Sequence, residues 1–123
     1  MRRTFALALA ASTALALLAV GSGQAAPTAP RGTLNGSVGP GFTITLKRGA
    51  ANVTTIKRGQ WRLAVRDRSS IHNFHLSGPG VNRSTSVGAT GTRSFLVNLR
   101  PGRYTFVCDP HASQMRGSFR VTR

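Results

Sequence analysis

From Thr33 to the C-terminus, apolar residues recur at every second position in short runs. A period of two sends alternate side chains to opposite faces of an extended strand, so each run predicts a half-buried β-strand. The runs lie at 42–46, 61–65, 72–76, 95–99, 104–108 and 117–121, and Gly-rich or Pro-rich turns separate most of them. The segment 52–56 is a further candidate strand because it is rich in β-branched residues. No window of this region has the spacing of an amphipathic helix. We therefore predict an all-β protein of seven or eight short strands, as an antiparallel sandwich or a small barrel.

The beginning of the chain has a different pattern. A short positive start precedes an almost wholly apolar run at 5–20, and small residues follow at 21–25. This order is typical of a secretory signal peptide; the run is shorter than a good membrane span, and an uncleaved anchor is the alternative. We predict a signal peptide at 1–25, a flexible Pro/Ala lead-in at 26–32 and one domain at 33–123. The expected location is the cell envelope, the periplasm or the medium, with no membrane span after cleavage.

Charge is the most unusual property of the composition. The chain has 17 Lys and Arg against 2 Asp and Glu, a formal net charge of +15 that falls to +13 without Arg2 and Arg3. Such a charge by itself suggests a nucleic-acid or membrane partner. Export argues against genomic DNA, and most aromatic residues alternate at core positions, which leaves no platform for stacking bases. We therefore expect no nucleic-acid partner, and binding of a polyanion is the least favoured function.

The scarcity of acids and cysteines limits the possible chemistry. Asp67 and Asp109 are the only acids, which argues against catalysis by paired carboxylates and against a carboxylate cage for Ca²⁺ or Mg²⁺. Cys108 is the only cysteine, so no disulfide can form within the chain. In an oxidising compartment, a lone thiol is a liability unless it is buried or used.

One loop near the C-terminus combines three soft metal ligands. Cys108, His111 and Met115 offer a thiolate, an imidazole and a thioether between two predicted strands. Together these ligands favour copper over zinc or calcium, and a redox-active copper site adds a second imidazole. Either His72 or His75 could supply it. His72 shares the inward parity of its strand, whereas His75 has the opposite parity and is expected to point outward.

Around these residues, the chain resembles the cupredoxins of the plastocyanin, pseudoazurin and amicyanin group. The resemblance covers about residues 33–123 and implies a cupredoxin-like Greek-key β-sandwich. The matching segments are His72-Asn73, Tyr104 to Cys108, Asp109-Pro110-His111, Met115, and the glycine and final strand at 117–121. Three residues separate His111 from Met115, a spacing between the shorter amicyanin loop and the longer plastocyanin loop.

The resemblance also assigns roles to these residues. It implies one copper ion per chain, held by His72, Cys108, His111 and Met115, as in a type 1 blue copper site. The family's first histidine ligand directly precedes an asparagine, which favours His72 over His75. Asn73 is then expected to hydrogen-bond across to the Cys108 loop and brace it, although a polar residue filling a turn is an equal alternative.

These expectations favour a carrier of single electrons over an enzyme. By resemblance, the ring edge of His111 would reach an apolar surface patch with Pro110, Pro40 and Phe42. We expect a monomer whose positive surface steers it to an acidic redox protein in a transient encounter. A copper carrier or scavenger without a dedicated redox partner is the alternative. The scarcity of methionine, only Met1 and Met115, disfavours the Met-rich exchangeable site that such a carrier uses.

Overall fold

Ten β-strands and one 3₁₀ turn form the part of the chain that the computed structural model describes, residues 21–123. The predicted signal peptide lies outside the described residues except for positions 21–25. Residues 21–29 have no regular secondary structure and are exposed. Backbone contacts to the domain begin at Arg31 and Gly32, which hydrogen-bond with Gln60 and Arg62. Within residues 21–123, no helix is both long and apolar enough to cross a membrane.

The strands form two five-stranded sheets that pack face to face. The first sheet has the order β3-β2-β1-β5-β8, with β1 at Thr33–Val38, β2 at Ile44–Arg48, β3 at Ala51–Asn52, β5 at Gly59–Asp67 and β8 at Gly91–Leu99. The second has the order β4-β10-β9-β6-β7, with β4 at Thr55–Lys57, β6 at His75–Gly78, β7 at Val81–Ser84, β9 at Gly102–Val107 and β10 at Arg116–Thr122. This architecture is the cupredoxin-like β-sandwich that the sequence analysis predicted.

Strand pairing and strand number differ from the prediction in detail. The pairs β1–β5 and β4–β10 are parallel, whereas the prediction was an antiparallel arrangement. Periodicity predicts which face of a strand is buried, but it does not predict which strands pair or in which direction. Ten strands replace seven or eight. The 52–56 segment divides into β3 and β4 at the edges of two sheets. β1 and β7 are additional strands, because Gly36 interrupts the apolar alternation of β1 and β7 has none. The strand predicted from His72 begins at His75, and the one predicted from Phe42 begins at Ile44.

The core lies between the sheets and uses the inward parity of each strand. Phe74 crosses this layer: its ring stacks on that of Phe106, with centroids 5.7 Å apart and planes 4° from parallel. On the opposite sheet it packs against Gly36, where a Cβ atom would lie 2.9 Å from the ring. The sandwich therefore closes tightly around the segment that follows His72. The buried apolar residues also include Leu34, Leu46, Trp61, Leu63, Val65, Leu76, Val97, Leu99, Tyr104 and Phe119.

Tyr104 ties the β8–β9 turn to the turn before β7, and its removal should cost stability. Its hydroxyl donates to the carbonyl oxygen of Pro79 at 2.8 Å and accepts from the backbone N–H of Arg100 at 3.0 Å. Tyr104→Phe leaves both groups without this partner, so we expect a loss of about 1–3 kcal/mol in the free energy of unfolding. Urea denaturation measures it. Thr105→Val, a substitution of the half-buried neighbour, is the control, and an equal loss in both variants would contradict this role.

Candidate metal centre

The residues of the candidate site come from two loops at one end of the sandwich. His72 lies between β5 and β6, in the segment that leads into the second sheet. Cys108 follows β9 directly, His111 ends a one-turn 3₁₀ helix at Asp109–His111, and Met115 precedes β10. Because β9 and β10 are neighbours in the second sheet, the loop between them returns over the same end.

Three side chains converge on one point. The Nδ1 atoms of His72 and His111 are 3.1 Å apart, and each is 3.6 Å from the Sγ atom of Cys108. Metal–nitrogen bonds of about 2.0 Å and metal–sulfur bonds of about 2.3 Å in a trigonal plane would place these atoms about 3.5–3.7 Å apart. The donor set therefore fits one ion without a change of backbone, and thiolate with two imidazoles is the trigonal set of blue copper sites.

Burial around the three side chains is uneven. Cys108 and His72 are fully buried, while His111 is half-buried at the edge of the site. The exposed Phe42 ring contacts both imidazoles edge-on, with centroids 5.4 Å from His72 and 4.9 Å from His111. A buried thiol and one partly exposed imidazole are typical of a metal centre that is shielded from water. The exposed edge of the imidazole is still accessible to the surface of another protein.

Backbone hydrogen bonds close the loop on itself. The N–H of His111 donates to the carbonyl of Cys108 at 3.0 Å, and that of Met115 donates to the carbonyl of His111 at 2.8 Å. The N–H of Cys108 donates back to the carbonyl of Met115 at 3.0 Å. These bonds set the positions of all three residues from protein contacts alone. The Met115 side chain is fully buried in the core beside the loop.

The His72 turn is equally constrained. Its backbone N–H donates to the carbonyl of Ser69 at 3.5 Å, and Asp67 accepts from the N–H of Ser69 at 2.9 Å. Gly39 packs against this turn with φ of +73°, where a Cβ atom would lie 3.2 Å from Cδ2 of His72. Only glycine combines that φ with so close an approach. Nδ1 of His72 faces the other two donor atoms, and Nε2 is buried without a hydrogen-bond partner among the described residues.

Asn73 contacts the cysteine loop directly. Its Oδ1 accepts from the backbone N–H of Asp109 at 2.7 Å, and its Nδ2 donates to Oδ2 of the same residue at 2.7 Å and to the carbonyl of Thr85. The side chain is 3% exposed. Its placement is that of a brace between the two ligand-bearing loops.

His75 lies outside the triad, on the outer face of the second sheet, but it is not an isolated surface residue. Its Nδ1 lies 2.8 Å from Oδ1 of Asp109, the single ion pair among residues 21–123. The hydrogen bond to Asp109 raises the pKa of His75, partial burial lowers it, and the bond to Asn82 raises it further, so the pKa lies above its ordinary value. Parity predicted the outward direction, but no pattern revealed the pairing.

Asp109 has a role at the site that the sequence pattern did not predict. Partial burial raises the pKa of its carboxyl, but the hydrogen bonds from Asn73 and His75 outweigh that effect and hold the pKa below its usual value. One signal was available: Asp109 is one of only two acids in the chain, and it directly follows the cysteine of the candidate metal loop.

A separate groove of about 530 Å³ lies on the outer face of the first sheet. Its lining includes Lys47, Arg66 and Arg68 among small polar residues, and none of the three converging side chains. It contains no histidine, cysteine or acid. The groove therefore adds no histidine, cysteine or carboxylate ligand to the candidate site.

Comparison with known proteins agrees with this geometry. The profile of copper-binding proteins of the plastocyanin/azurin family matches residues 37–122. Amicyanin-alpha of Methylorubrum extorquens is 33% identical over 111 residues, which cover 87% of each chain. A rusticyanin variant superimposes with a TM-score of 0.57 at 18% identity, over 76% of this chain and 80% of that one. Rusticyanin from Thiobacillus ferrooxidans gives 0.53 at 18% identity, over 76% and 79%.

The rusticyanin likeness shows the fold, and the family profile and the amicyanin similarity extend over most of the domain with the converging side chains inside it. Copper is accordingly the metal that this site takes. The chain belongs to the plastocyanin/azurin family of copper-binding proteins.

Proposed function

We propose that the protein is an exported carrier of single electrons, with one copper ion held by His72, Cys108, His111 and Met115. The observation that carries the proposal is the triangle of two imidazole nitrogens and one thiol, with edges of 3.1–3.6 Å. Met115 would supply a weak fourth ligand, its thioether sulfur. Within the family, we place the chain in the plastocyanin, pseudoazurin and amicyanin group.

A copper ion held by these residues would supply one-electron chemistry between Cu(I) and Cu(II). The part played by the chain is to keep its donors in one arrangement. Cys108, His111 and Met115 are positioned by bonds within their own loop, and His72 by the turn against Gly39. Because none of these contacts depends on the metal, the ligands need little rearrangement between oxidation states. The same fixed arrangement of donors would slow the release of the metal and speed the transfer of electrons.

The electron would pass through the half-buried edge of His111. Phe42, which is 56% exposed, packs against this ring, and Pro40 and Pro110 are exposed nearby along the same loops. A small apolar surface of this kind suits a brief encounter, since it can be desolvated and released quickly.

The partner we propose is an acidic redox protein, met by a monomer outside the cytoplasm. After removal of residues 1–25, the chain would carry a formal charge of +13, with 33–123 as its single domain behind the lead-in at 26–32. The cations have no carboxylate partners within residues 21–123, so their field is available to an approaching protein.

The test is to add Cu(II) to the purified protein and to record its visible spectrum, reduction potential and electron exchange with small cytochromes. The proposal expects an intense blue or green thiolate-to-copper band and reversible one-electron reduction. A colourless protein with bound copper would contradict the site. A coloured protein that exchanges no electrons and gives up its copper readily would favour a copper carrier or scavenger instead.

Electron exchange should depend strongly on salt. With an acidic cytochrome, we expect the second-order rate to fall about tenfold or more between 0.01 M and 0.5 M salt, because screening removes the long-range attraction. A basic cytochrome of similar potential is the control, and its rate should rise over the same range. Equal rates with both cytochromes at low salt would contradict electrostatic steering.

A further inference from the structure

Outside the triad, a chain of polar side chains runs from the outer face of the second sheet to the ligand loops. Asn82 on β7 contacts Nε2 of His75 on β6, and Nδ1 of His75 lies 2.8 Å from Oδ1 of Asp109. The other carboxylate oxygen of Asp109 accepts from Asn73 at 2.7 Å. These hydrogen bonds connect four residues from three segments. The bond between His75 and Asp109 connects the second sheet to the loop that follows Cys108.

Both ring nitrogens of His75 face oxygen atoms. Oδ1 of Asp109 is an acceptor, and so is Oδ1 of Asn82, so each nitrogen must donate a hydrogen to make its bond. Only the imidazolium has two N–H groups. With the Asn82 amide in this orientation, both contacts favour the charged ring, whose bond to Asp109 is charge-assisted and stronger than a neutral one.

Other charges near His75 are few. On the outer face of the second sheet, Val107 of β9 and Ser84 of β7 lie beside it and are uncharged. The nearest cations by strand register are Arg116, one strand beyond Val107, and Arg83, next to Ser84 on the opposite parity. Asp109 is the only acid that faces it from any of these elements, so the imidazolium depends on that one carboxylate.

Asp109 connects this charge to both ligand loops. It follows Cys108 directly, and its backbone N–H is held by Oδ1 of Asn73 at 2.7 Å. Asn73 in turn follows His72 directly. Asn73 can present its carbonyl to that N–H and its amide to the carboxylate only while the Asp109 side chain keeps its orientation, and His75 fixes that orientation from the other oxygen.

We propose that His75 is a positioning residue of the metal centre, which acts through Asp109 to hold the Cys108 loop against the His72–Asn73 segment. We call the His75–Asp109–Asn73 contact the latch. The latch is a property of the protein without metal; only its redox consequence rests on the proposed function. Loss of His75 would leave one carboxylate oxygen of Asp109 without its partner. The distance between the Cys108 loop and the His72–Asn73 segment would then vary more.

The first test uses the metal-free protein and amide hydrogen exchange. In His75→Asn we expect the Asp109 amide to lose about threefold to tenfold in protection, the range of a partly exposed charge-assisted hydrogen bond. His75→Gln, whose amide N–H reaches further toward the carboxylate than that of asparagine, should recover part of it. Ser77→Ala, on the same face of β6 and away from the loop, is the matched control. Equal protection in His75→Asn and Ser77→Ala overturns the proposal.

A pH profile separates the latch from a general structural role. The raised pKa of His75 means that its bond is complete below pH 6.5 and is lost as the pH rises through that raised pKa. Protection at Asp109 should therefore fall with rising pH in the wild-type chain and in Ser77→Ala, relative to the Thr105 amide. It should stay flat in His75→Gln. A profile that is the same in all three chains contradicts the inference.

In the copper-loaded protein, the same substitution should change the redox behaviour. An imidazolium close to the centre favours Cu(I), so His75→Gln should lower the reduction potential at pH 6 and flatten its dependence on pH above that value. If His75→Gln changes neither the reduction potential nor hydrogen exchange at the Asp109 amide, the proposed latch is contradicted. If His75 protects the Asp109 amide from exchange but the protein shows no colour with copper, the latch is supported and the electron-carrier proposal is contradicted.

Discussion

Replacing Cys108 by Ser should abolish the visible band of the copper-loaded protein and most of its affinity for copper. The thiolate is the only soft anionic donor in the triangle, and a serine hydroxyl stays protonated and hard at neutral pH. The loss of affinity should exceed the roughly 10- to 100-fold that loss of an outer hydrogen-bond partner costs a metal site. Absorption spectra and competition with a copper chelator measure both effects.

Two histidine variants provide the controls. His72→Ala should lose the band as Cys108→Ser does, because its Nδ1 is one corner of the triangle. His75→Ala should keep a band, because its ring contacts Asp109 and Asn82 instead. Colour that survives in Cys108→Ser, or that depends on His75 and not on His72, would contradict the ligand set that we propose.

Phe74→Ala should be the most destabilising of the substitutions considered. The ring is 1% exposed, stacks on Phe106 and packs against Gly36 of the other sheet, so its removal leaves a cavity that neither sheet can fill. We expect a loss of about 3–5 kcal/mol in the free energy of unfolding. The metal-free protein in urea is the right sample, since bound metal would mask part of the loss.

Phe42→Ala is the matched variant, since it removes the same side chain from an exposed position. With 56% of its surface in solvent, Phe42 should contribute less than about 1 kcal/mol to the free energy of unfolding. Its effect should instead appear in electron exchange at the His111 edge. Equal stability losses in the two variants would show that Phe74 does not close the sandwich as the contacts indicate.

Alternation along the strands was sufficient to predict the faces of the sandwich. Trp61, Leu63 and Val65 are buried where parity placed them, and parity also separated His72 from His75. Phe42 shows the limit of the method: it continues the period of Leu46, but the strand begins at Ile44 and the ring turns to the surface. A period assigns a face only once the ends of the strand are known.

The candidate site was more predictable from sequence than its support was. A cysteine, a histidine and a methionine in one loop specify a chemistry, because few metals use all three. The pairing of His75 with Asp109 is different in kind. It joins positions 34 residues apart, on a strand and a loop, and either residue alone is ordinary. Only the register of β6 against β9 brings them together.

The near absence of ion pairs among the described residues destabilises the fold, although the same uncompensated charge favours binding to an acidic partner. Most folded proteins offset their cations with neighbouring acids, but here one pair between His75 and Asp109 stands among the described residues. Self-repulsion therefore opposes the compact state, and added salt should stabilise the fold while it slows the search for an acidic partner. Individual arginines can be exchanged for neutral residues without orphaning a carboxylate, so the surface charge can change from one variant to another while the copper site stays as it is.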